Sequence, residues 1–366
     1  MIDRCPGLNR RRLVSLIGDA IRRCQLDLRE KTVVTEAASG AYAATALMAA
    51  MAGAKRVFAL GGESPYGSVG EIHRNLVELA AIAEVRNRIE LVEEKSREVF
   101  AGADIVTNAG HIRPIDAEVV RWLPPTAVVP LMYEAWEFRE QDVDVAECSS
   151  HGIAVAGTNE SHPAVDVFSF LGMMAVKLLH DGGVAVYGSR VLLLCDNPFL
   201  PYIERTLRAA GAVLTVASDA LALREHPGSG CDALLIGMRP GPQPVIGGPE
   251  SLLPADLVNQ FWPGAVVAQF WGDIDRSALD AARAPYWPLE APARCHMGIL
   301  PSALGPEPIV RLQAGGLKVG EVMSKAAAGE DRVRCAVDSG YGQALPAKFG
   351  DAAGSSQSHF RAGDGQ

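Results

Sequence analysis

The sequence lacks several features that would place the protein in a specialised class. Its seven cysteines stand singly, with no C-x-x-C pair, so neither a disulfide framework nor a zinc site is indicated. The eight histidines include no H-x-x-x-H pair, and we predict no metal site. No basic cluster is longer than Arg10–Arg12, and the formal net charge of −9 argues against a nucleic-acid partner.

Long apolar runs are also missing. No stretch approaches about 18 uninterrupted apolar residues, and the N-terminal region has an acid at Asp3 and no apolar segment followed by a cleavage site. We therefore expect no membrane association and a cytoplasmic protein. A content of 48% hydrophobic and 21% charged residues is ordinary for a globular protein, and 366 residues favour about two domains.

Short apolar runs alternate with segments of helical spacing, which predicts an α/β fold with parallel sheets covered on both faces. A first series of strands is followed by an apolar helix from Pro163 to His180, and then by a second series. A closing helical segment over 305–328 is predicted to be interrupted at Gly315 and Gly316. The predicted strands are 32–35, 56–60, 89–92, 104–107, 127–131 and 153–156, then 191–195, 213–217, 233–236 and 265–268.

We accordingly predict two Rossmann-like, doubly wound parallel-sheet domains with a cleft between them. Residues 1–160 and 300–330 would form a flavodoxin-like or Rossmann-like substrate domain, and residues 186–299 a Rossmann-like cofactor domain. Residues 161–185 would form a connector helix. Residues 335–366, rich in glycine, serine, alanine and glutamine, are expected to form a flexible tail.

The second series opens like a dinucleotide-binding β-α-β unit. Asp219 stands about 20 residues after the first turn, where an acid contacts a ribose in such units. The turn itself reads Asp196-Asn197-Pro198-Phe199-Leu200-Pro201 instead of G-x-G-x-x-G. Because those glycines let backbone N–H groups approach a pyrophosphate, we do not expect an ordinary pyrophosphate pose here.

Residues 142–146, 152–159 and the helix from Pro163 resemble the mid-chain signature of the D-2-hydroxyacid dehydrogenase superfamily, which has the formate/glycerate dehydrogenase fold. The resemblance covers roughly residues 100–325. It implies NAD or NADP in the middle domain, catalysis on a small molecule in the cleft, and a homodimer. The cofactor contacts that it implies are Asp196, Asn197, Pro198, Phe199 and Asp219, with Thr158 and Asn159 at the hinge.

The same resemblance implies a catalytic pair, in which Glu290 orients His296 as the proton donor. His111, at the end of a predicted strand facing the cleft, is a further catalytic candidate. Where the family has its substrate-binding arginine, this chain has residues 269–273. Trp271 is expected to pack in the core or, alternatively, to line a pocket for a ring. Glu134 falls at the family's carboxylate-binding loop. We therefore expect a small metabolite without a simple carboxylate.

The residues around position 110 are a second candidate contact set. Asn108, His111 and Arg113 supply an amide, an imidazole and a guanidinium at the end of a predicted strand. The alternative interpretation is that they form an ordinary turn.

Two other functions stay open. The loops 36–42 and 61–67 follow strands, and together with 87–92 and 103–106 they are similar to the nucleotide-binding half of an S-adenosylmethionine-dependent methyltransferase. This leaves an S-adenosylmethionine- or nucleotide-dependent transferase as one alternative, and a non-catalytic ligand-binding protein as the other. Our leading hypothesis is a divergent NAD(P)-dependent oxidoreductase-like enzyme.

Overall fold

The computed structural model of the chain describes residues 6–63, 67–225, 230–293 and 296–346. The chain divides into two compact units, unit 1 with Met1–Asp166 and Ile309–Gln366, and unit 2 with Val167–Pro308. Each unit contains a largely parallel β-sheet with helices packed on it. The predicted α/β class, with two doubly wound parallel sheets, is confirmed. Within the described residues, no helix is both long and apolar enough to span a membrane.

Unit 1 begins with an amphipathic helix and continues through six strands that alternate with helices. The helix α1 is capped by Asn9, whose side chain accepts hydrogen bonds from two backbone N–H groups, and its apolar stripe is buried. The elements are α1 (Arg10–Cys24), β1 (Thr32–Glu36), α2 (Ala44–Met51), β2 (Arg56–Leu60), α3 (Val69–Ile82), β3 (Ile89–Val92), α4 (Arg97–Phe100), β4 (Ile105–Val106), α5 (Ala117–Trp122), β5 (Val128–Pro130), α6 (Val145–Ser150) and β6 (Ala154–Thr158).

Unit 2 repeats the alternation on a smaller scale. Its elements are α7 (Leu171–Asp181), β7 (Arg190–Leu194), α8 (Leu200–Ala209), β8 (Val213–Ala217), α9 (Ala222–Glu225), β9 (Ala233–Gly237), β10 (Ile246–Gly247), β11 (Leu253–Pro254), α10 (Ala255–Phe261), β12 (Val266–Trp271), α11 (Arg276–Ala282) and β13 (Tyr286–Trp287). The chain then returns to unit 1 through α12 (Glu307–Lys325), α13 (Arg332–Asp338) and β14 (Gly342–Gln343).

The two sheets have different strand orders. The unit 1 sheet has the order β14-β6-β5-β4-β1-β2-β3, in which β14 alone pairs antiparallel, with β6. Its six parallel strands thus follow the order 3-2-1-4-5-6 of dinucleotide-binding domains. Of the two topologies left open for this half, the structure has the Rossmann-like one. The unit 2 sheet, β13-β12-β9-β7-β8, has the flavodoxin-like order 2-1-3-4-5.

Both sheets are covered by apolar packing. In unit 1 alternate strand residues such as Val34, Val106 and Val129 join residues of α4, α5 and α6 in one buried cluster. In unit 2 the corresponding cluster brings Leu194 and Ile236 together with residues of α10 and α11. Strands that are buried on both faces read as continuous apolar runs, which explains why they were recognisable in the sequence.

The helix α12 is continuous, so the predicted interruption at Gly315 and Gly316 is wrong. A Cβ at Gly315 would come within 2.9 Å of Thr158 and Val165, and one at Gly316 would come within 2.7 Å of the Met132 side chain. The glycines therefore serve close packing of the helix on unit 1, and the hydrogen bonds of the helix pass through them.

The predicted connector helix over 161–185 begins later than expected, at Leu171, after a 3-10 turn over Phe168–Phe170. Asp166 has a φ of +55°, a left-handed conformation that ends any helix begun at Pro163. Its carboxylate accepts from Arg311 at 2.8 Å and lies 3.5 Å from Arg23. These ion pairs within unit 1 hold the residue in that conformation.

The predicted tail over 335–366 is wrong for the part that the structure describes. Asp331 caps α13 by accepting from the Arg334 N–H group, and Ala336 is buried. Gly342 and Gln343 then pair with β6. The pairing depends on a distant edge strand, which composition does not reveal. Residues 347–366 lie outside the described residues.

Candidate active site

The unit 1 sheet has a topological switch point between β1 and β4. The two strands pair through Val33 with Ile105 and Val34 with Val106. The helix after β1, α2, contacts α1 and α3, whereas the helix after β4, α5, packs with α4 and α6. The two connections therefore lie on opposite faces of the sheet. Ligands of open α/β sheets bind outside the carboxyl ends of the strands at such a point.

Glu36, the last residue of β1, is a buried carboxyl group at this switch point. Glu36 is 7% exposed, and its carboxyl oxygens accept no hydrogen bond from the described residues. Burial raises its pKa to about 7, although the nearby Arg113 guanidinium acts to lower the pKa. A carboxyl group with a pKa near neutrality can both accept and donate a proton at neutral pH.

Three glycines let side chains approach this edge closely. A Cβ at Gly110, whose φ is +37°, would overlap a carboxyl oxygen of Glu36. A Cβ at Gly61 would lie 2.7 Å from His73 Nε2, and one at Gly62 would lie 2.8 Å from His111 Nδ1. The loop after β4 therefore lies over the ends of β1 and β2, with the Glu36 carboxyl group beneath it.

Three buried side-chain nitrogen atoms of unit 1 have no hydrogen bond within the described residues. Asn108 is 2% exposed, and its Oδ1 accepts a hydrogen bond of 2.7 Å from the Met132 N–H group. Its Nδ2, the Arg113 Nε and the His73 Nε2 are buried and have no hydrogen bond within the described residues. An unsatisfied buried polar group costs on the order of 1–3 kcal/mol, so ligand atoms or ordered water are expected beside them.

Asp142 fixes the position of Arg113. Its Oδ2 lies 3.2 Å from Arg113 Nη1 and accepts a 2.9 Å hydrogen bond from the Tyr133 hydroxyl group. Arg139 Nη1 lies 3.8 Å from the same oxygen. Because Asp142 is itself buried, this network orients the guanidinium rigidly and leaves its Nε available.

The structure thus places three predicted residues, Asn108, His111 and Arg113, in one segment at the carboxyl edge of unit 1. Sequence reasoning named Glu36 only as part of a loop and did not name His73. Glu36 had a usable signal, since it is an acid at the end of a buried strand. His73 had none, because it lies on an amphipathic helix among other polar residues.

The predicted substrate residue Glu134 has hydrogen-bond partners within unit 1, and its role at a substrate stays a prediction. It is buried, and its oxygens accept from Gln343 Nε2, from the Glu160 N–H group and from Trp136 Nε1. With Glu137 and Glu160 it forms an acidic cluster. Burial raises the pKa of all three carboxyl groups, and repulsion from Glu134 helps to raise that of Glu137 to about 7.

Thr158 and Asn159 both make hydrogen bonds within unit 1, and their role in cofactor binding stays a prediction. The Thr158 hydroxyl group is fully buried and donates a 2.6 Å hydrogen bond to the Leu131 carbonyl oxygen. Asn159 donates to the Gly340 carbonyl oxygen and accepts from Ser161. Both side chains therefore hold β6 and its neighbours in place.

The predicted acid–base pair lies in unit 2, whereas His111 lies in unit 1. Glu290 is exposed, and its main-chain oxygen accepts from Arg276 Nη2 at 3.2 Å. His296 is half-buried, and its N–H group donates to the Ala293 carbonyl oxygen. The proton-transfer role of this pair stays a prediction.

The turn from β7 into α8 does not fit a pyrophosphate. Pro198 and Pro201 have no N–H group. The Phe199 N–H group donates to Asn197 Oδ1, and that of Leu200 donates to the Asn197 carbonyl oxygen. The N–H groups that would face a phosphate at this helix start are absent or already bonded.

Phe199 and Trp271 pack together in unit 2, and their predicted contacts with ligands stay predictions. Phe199 is buried, and its ring centroid lies 5.1 Å from that of Trp271 and 5.3 Å from that of Phe168. Trp271 is 5% exposed. The aromatic side chains therefore fill the space beside the turn.

The contact of Asp219 with a cofactor ribose stays a prediction. Asp219 is exposed just beyond the end of β8, which pairs with β7. One carboxylate oxygen accepts a 2.8 Å hydrogen bond from the Leu221 N–H group. The carboxylate is thus held in position at the edge where such acids contact a ribose.

The described residues include no group of three or more histidine, cysteine, aspartate or glutamate side chains placed to hold a metal ion.

No family model matches the chain, and no curated protein matches it. Among solved structures, a dipicolinate synthase chain from Bacillus subtilis matches 80% of this chain over 96% of its own length, with 12% identity and a TM-score of 0.51. This chain shares that fold.

Two further structures match over similar lengths. The corresponding dipicolinate synthase chain from Bacillus halodurans has 14% identity and a TM-score of 0.48, over 79% of this chain and 96% of that one. NAD-dependent formate dehydrogenase from Staphylococcus aureus, solved with NAD, has 14% identity and a TM-score of 0.45, over 78% and 92%. The α/β fold that the resemblance implied is thus shared with a solved structure.

Proposed function

We propose that the chain is an oxidoreductase-like enzyme that acts on a small polar metabolite, with Glu36 as its acid–base group. The observation that carries the proposal is the buried Glu36 carboxyl group, without a hydrogen bond among the described residues, at the unit 1 switch point. Burying a carboxyl group is costly, and such costs concentrate at functional sites. Asn108, His111 and Arg113 are the proposed substrate contacts.

The proton chemistry follows from the pKa of Glu36. Near pH 7 the carboxyl group is populated in both its protonated and its ionised form. The ionised form accepts a proton from a hydroxyl group, and the protonated form donates one to a carbonyl oxygen. Asn108 Nδ2 and Arg113 Nε are donors that would orient an oxygen atom of the substrate.

NAD(P) is the cofactor that we propose on the basis of the fold, with Asp219 as the contact to its adenosine ribose. The turn at 196–201 does not fit the pyrophosphate, so the reaction steps proposed here are those of Glu36 and its neighbours alone. A carboxylate at the ribose would repel a 2′-phosphate, which favours NAD over NADP. A homodimer stays a prediction.

Thermal unfolding with added ligands tests the cofactor. A ligand that binds the folded state raises the melting temperature, so NADH is expected to raise it, NADPH to raise it less, and Asp219→Ala to abolish both effects. S-adenosylmethionine is expected to have no effect. A rise with S-adenosylmethionine alone would instead support the transferase alternative.

Turnover tests the acid–base group. With small carbonyl compounds and NADH, Glu36→Gln should reduce the rate on the order of 10²–10⁴-fold, whereas the exposed control Glu140→Gln should leave the rate unchanged. His296→Gln separates the two candidate proton donors. If the Glu36 variant keeps full activity and the His296 variant is inactive, proton transfer would instead be assigned to Glu290 and His296.

A further inference from the structure

The switch point of unit 2 lies between β7 and β9, and Asn197 joins the turns that follow these two strands. Its Nδ2 donates a 2.6 Å hydrogen bond to the Gly237 carbonyl oxygen at the end of β9. On the same side, Asp196 Oδ1 accepts from the Arg239 N–H group at 2.9 Å. Two hydrogen bonds therefore link the loops that would have to part to admit a ligand.

Asn197 also organises its own turn. Its Oδ1 accepts from the Phe199 N–H group at 3.1 Å, and its carbonyl oxygen accepts from the Leu200 N–H group at 3.2 Å. The next two N–H groups, of Tyr202 and Ile203, donate to the Phe199 carbonyl oxygen. One side chain thus holds both the start of α8 and the neighbouring strand end.

Phe199 also stabilises the turn, through packing against other aromatic side chains. Its ring meets Phe168 edge-on at 5.3 Å, Trp271 at 5.1 Å and Phe270 at 6.4 Å between centroids. All four rings are buried. Opening the turn would therefore expose aromatic surface as well as break hydrogen bonds, and both changes are unfavourable.

We propose that Asn197 is a clasp that holds the switch point of unit 2 closed, and that adenine ligands of this protein bind without a phosphate contact at the turn. This goes beyond the proposed function, because it concerns how unit 2 is held together whether or not NAD(P) takes part. It also assigns a structural purpose to the residues that replace the glycine-rich turn.

Two variants test the clasp. Asn197→Asp keeps the oxygen that accepts from the Phe199 N–H group but loses the donor to Gly237 and adds a charge beside Asp196. Asn197→Ala loses both contacts. We expect both substitutions to lower the melting temperature by several degrees, whereas the exposed control Asn259→Ala, also in unit 2, should not change it. An unchanged melting temperature in both variants would overturn the clasp.

Binding of adenosine, ADP and NADH to the wild-type protein, measured by calorimetry, tests the phosphate contact. Under the proposal, ADP binds no more tightly than adenosine. Binding of ADP or NADH that is tenfold tighter or more than that of adenosine, and that Asn197→Ala weakens, would overturn the proposal. If none of the three binds, the NAD(P) part of the proposed function fails, and the melting temperatures still decide the clasp.

Discussion

The carboxyl group of Glu36 occupies the space in which any residue other than glycine at position 110 would place its Cβ. Glu36 ends β1, and Gly110 lies in the loop after the neighbouring β4, so their contact defines the edge of the unit 1 site. The buried acid and the glycine that covers it are therefore in direct contact, and a substitution at either residue should perturb the position of the other.

Gly110→Ala should lower the free energy of unfolding by about 1–3 kcal/mol, because the new methyl group overlaps Glu36 and the φ of +37° is strained for alanine. Urea unfolding measures the effect. Gly102→Ala is the matched control, since its Cβ would meet nothing within 4 Å. Equal stability of the Gly110 variant and the wild type would show that Glu36 does not lie against this loop.

The stability should depend on pH through the buried acids. The pKa values of Glu36 and Glu137 rise from 4.5 to about 7, so the folded state binds protons more tightly than the unfolded state. Their contribution is complete below about pH 4.5 and is lost as the pH rises through 7, at most about 3 kcal/mol for each group. Unfolding in urea at pH 5 and pH 8 should show greater stability at pH 5.

Glu36→Gln should reduce this pH dependence, because glutamine does not titrate. The exposed Glu140→Gln should leave the dependence unchanged. If the difference between pH 5 and pH 8 is as large in the Glu36 variant as in the wild type, the buried carboxyl group does not have the raised pKa.

Glu160→Gln should stabilise the protein at pH 8 and have little effect at pH 5. Burial and repulsion from Glu137 and Glu134 raise the pKa of Glu160, so its ionised form is unfavourable in the folded state. Replacing it removes one charge from the cluster and should add about 1–3 kcal/mol at the higher pH. Chemical denaturation at both pH values measures this, and a loss of stability at pH 8 would contradict it.

Gly315→Ala in α12 should destabilise the protein by about 1–3 kcal/mol, although alanine favours helices more than glycine does. The reason is that its Cβ would lie 2.9 Å from Thr158 and Val165. Gly18→Ala in α1 is the contrasting variant, since its Cβ would lie 3.5 Å from the mobile end of Arg22. Thermal unfolding should show opposite shifts, and a stabilised Gly315 variant would refute the close packing.

Strands with continuous apolar runs were predictable in detail. The bounds of β2, β3 and β8 agree with the segments 56–60, 89–92 and 213–217, because each run is short and flanked by polar residues. Helix ends were less predictable, since a distant ion pair decides them. Asp166 delays α7 because Arg311 and Arg23 bind its carboxylate, and neither arginine is near it in the sequence.

The candidate site could be predicted only in part. A polar segment at the end of β4 was visible as Asn108, His111 and Arg113. The burial of Glu36 beneath that segment was not visible, because it depends on the strand order, which brings β1 beside β4. The hydrogen bonds of Glu134, Thr158 and Asn159 could not be predicted, because their partners come from distant parts of the chain.

The sequence by itself determined the α/β class, the two series of strands and the loss of the glycine-rich turn, because each follows from neighbouring residues and their spacing. Only the tertiary structure decided which polar groups are buried and which N–H groups are occupied. Desolvation and hydrogen bonding depend on atoms that the fold brings together, so the raised pKa of Glu36 and the contact from Asn197 to Gly237 exist only once the sheets have formed.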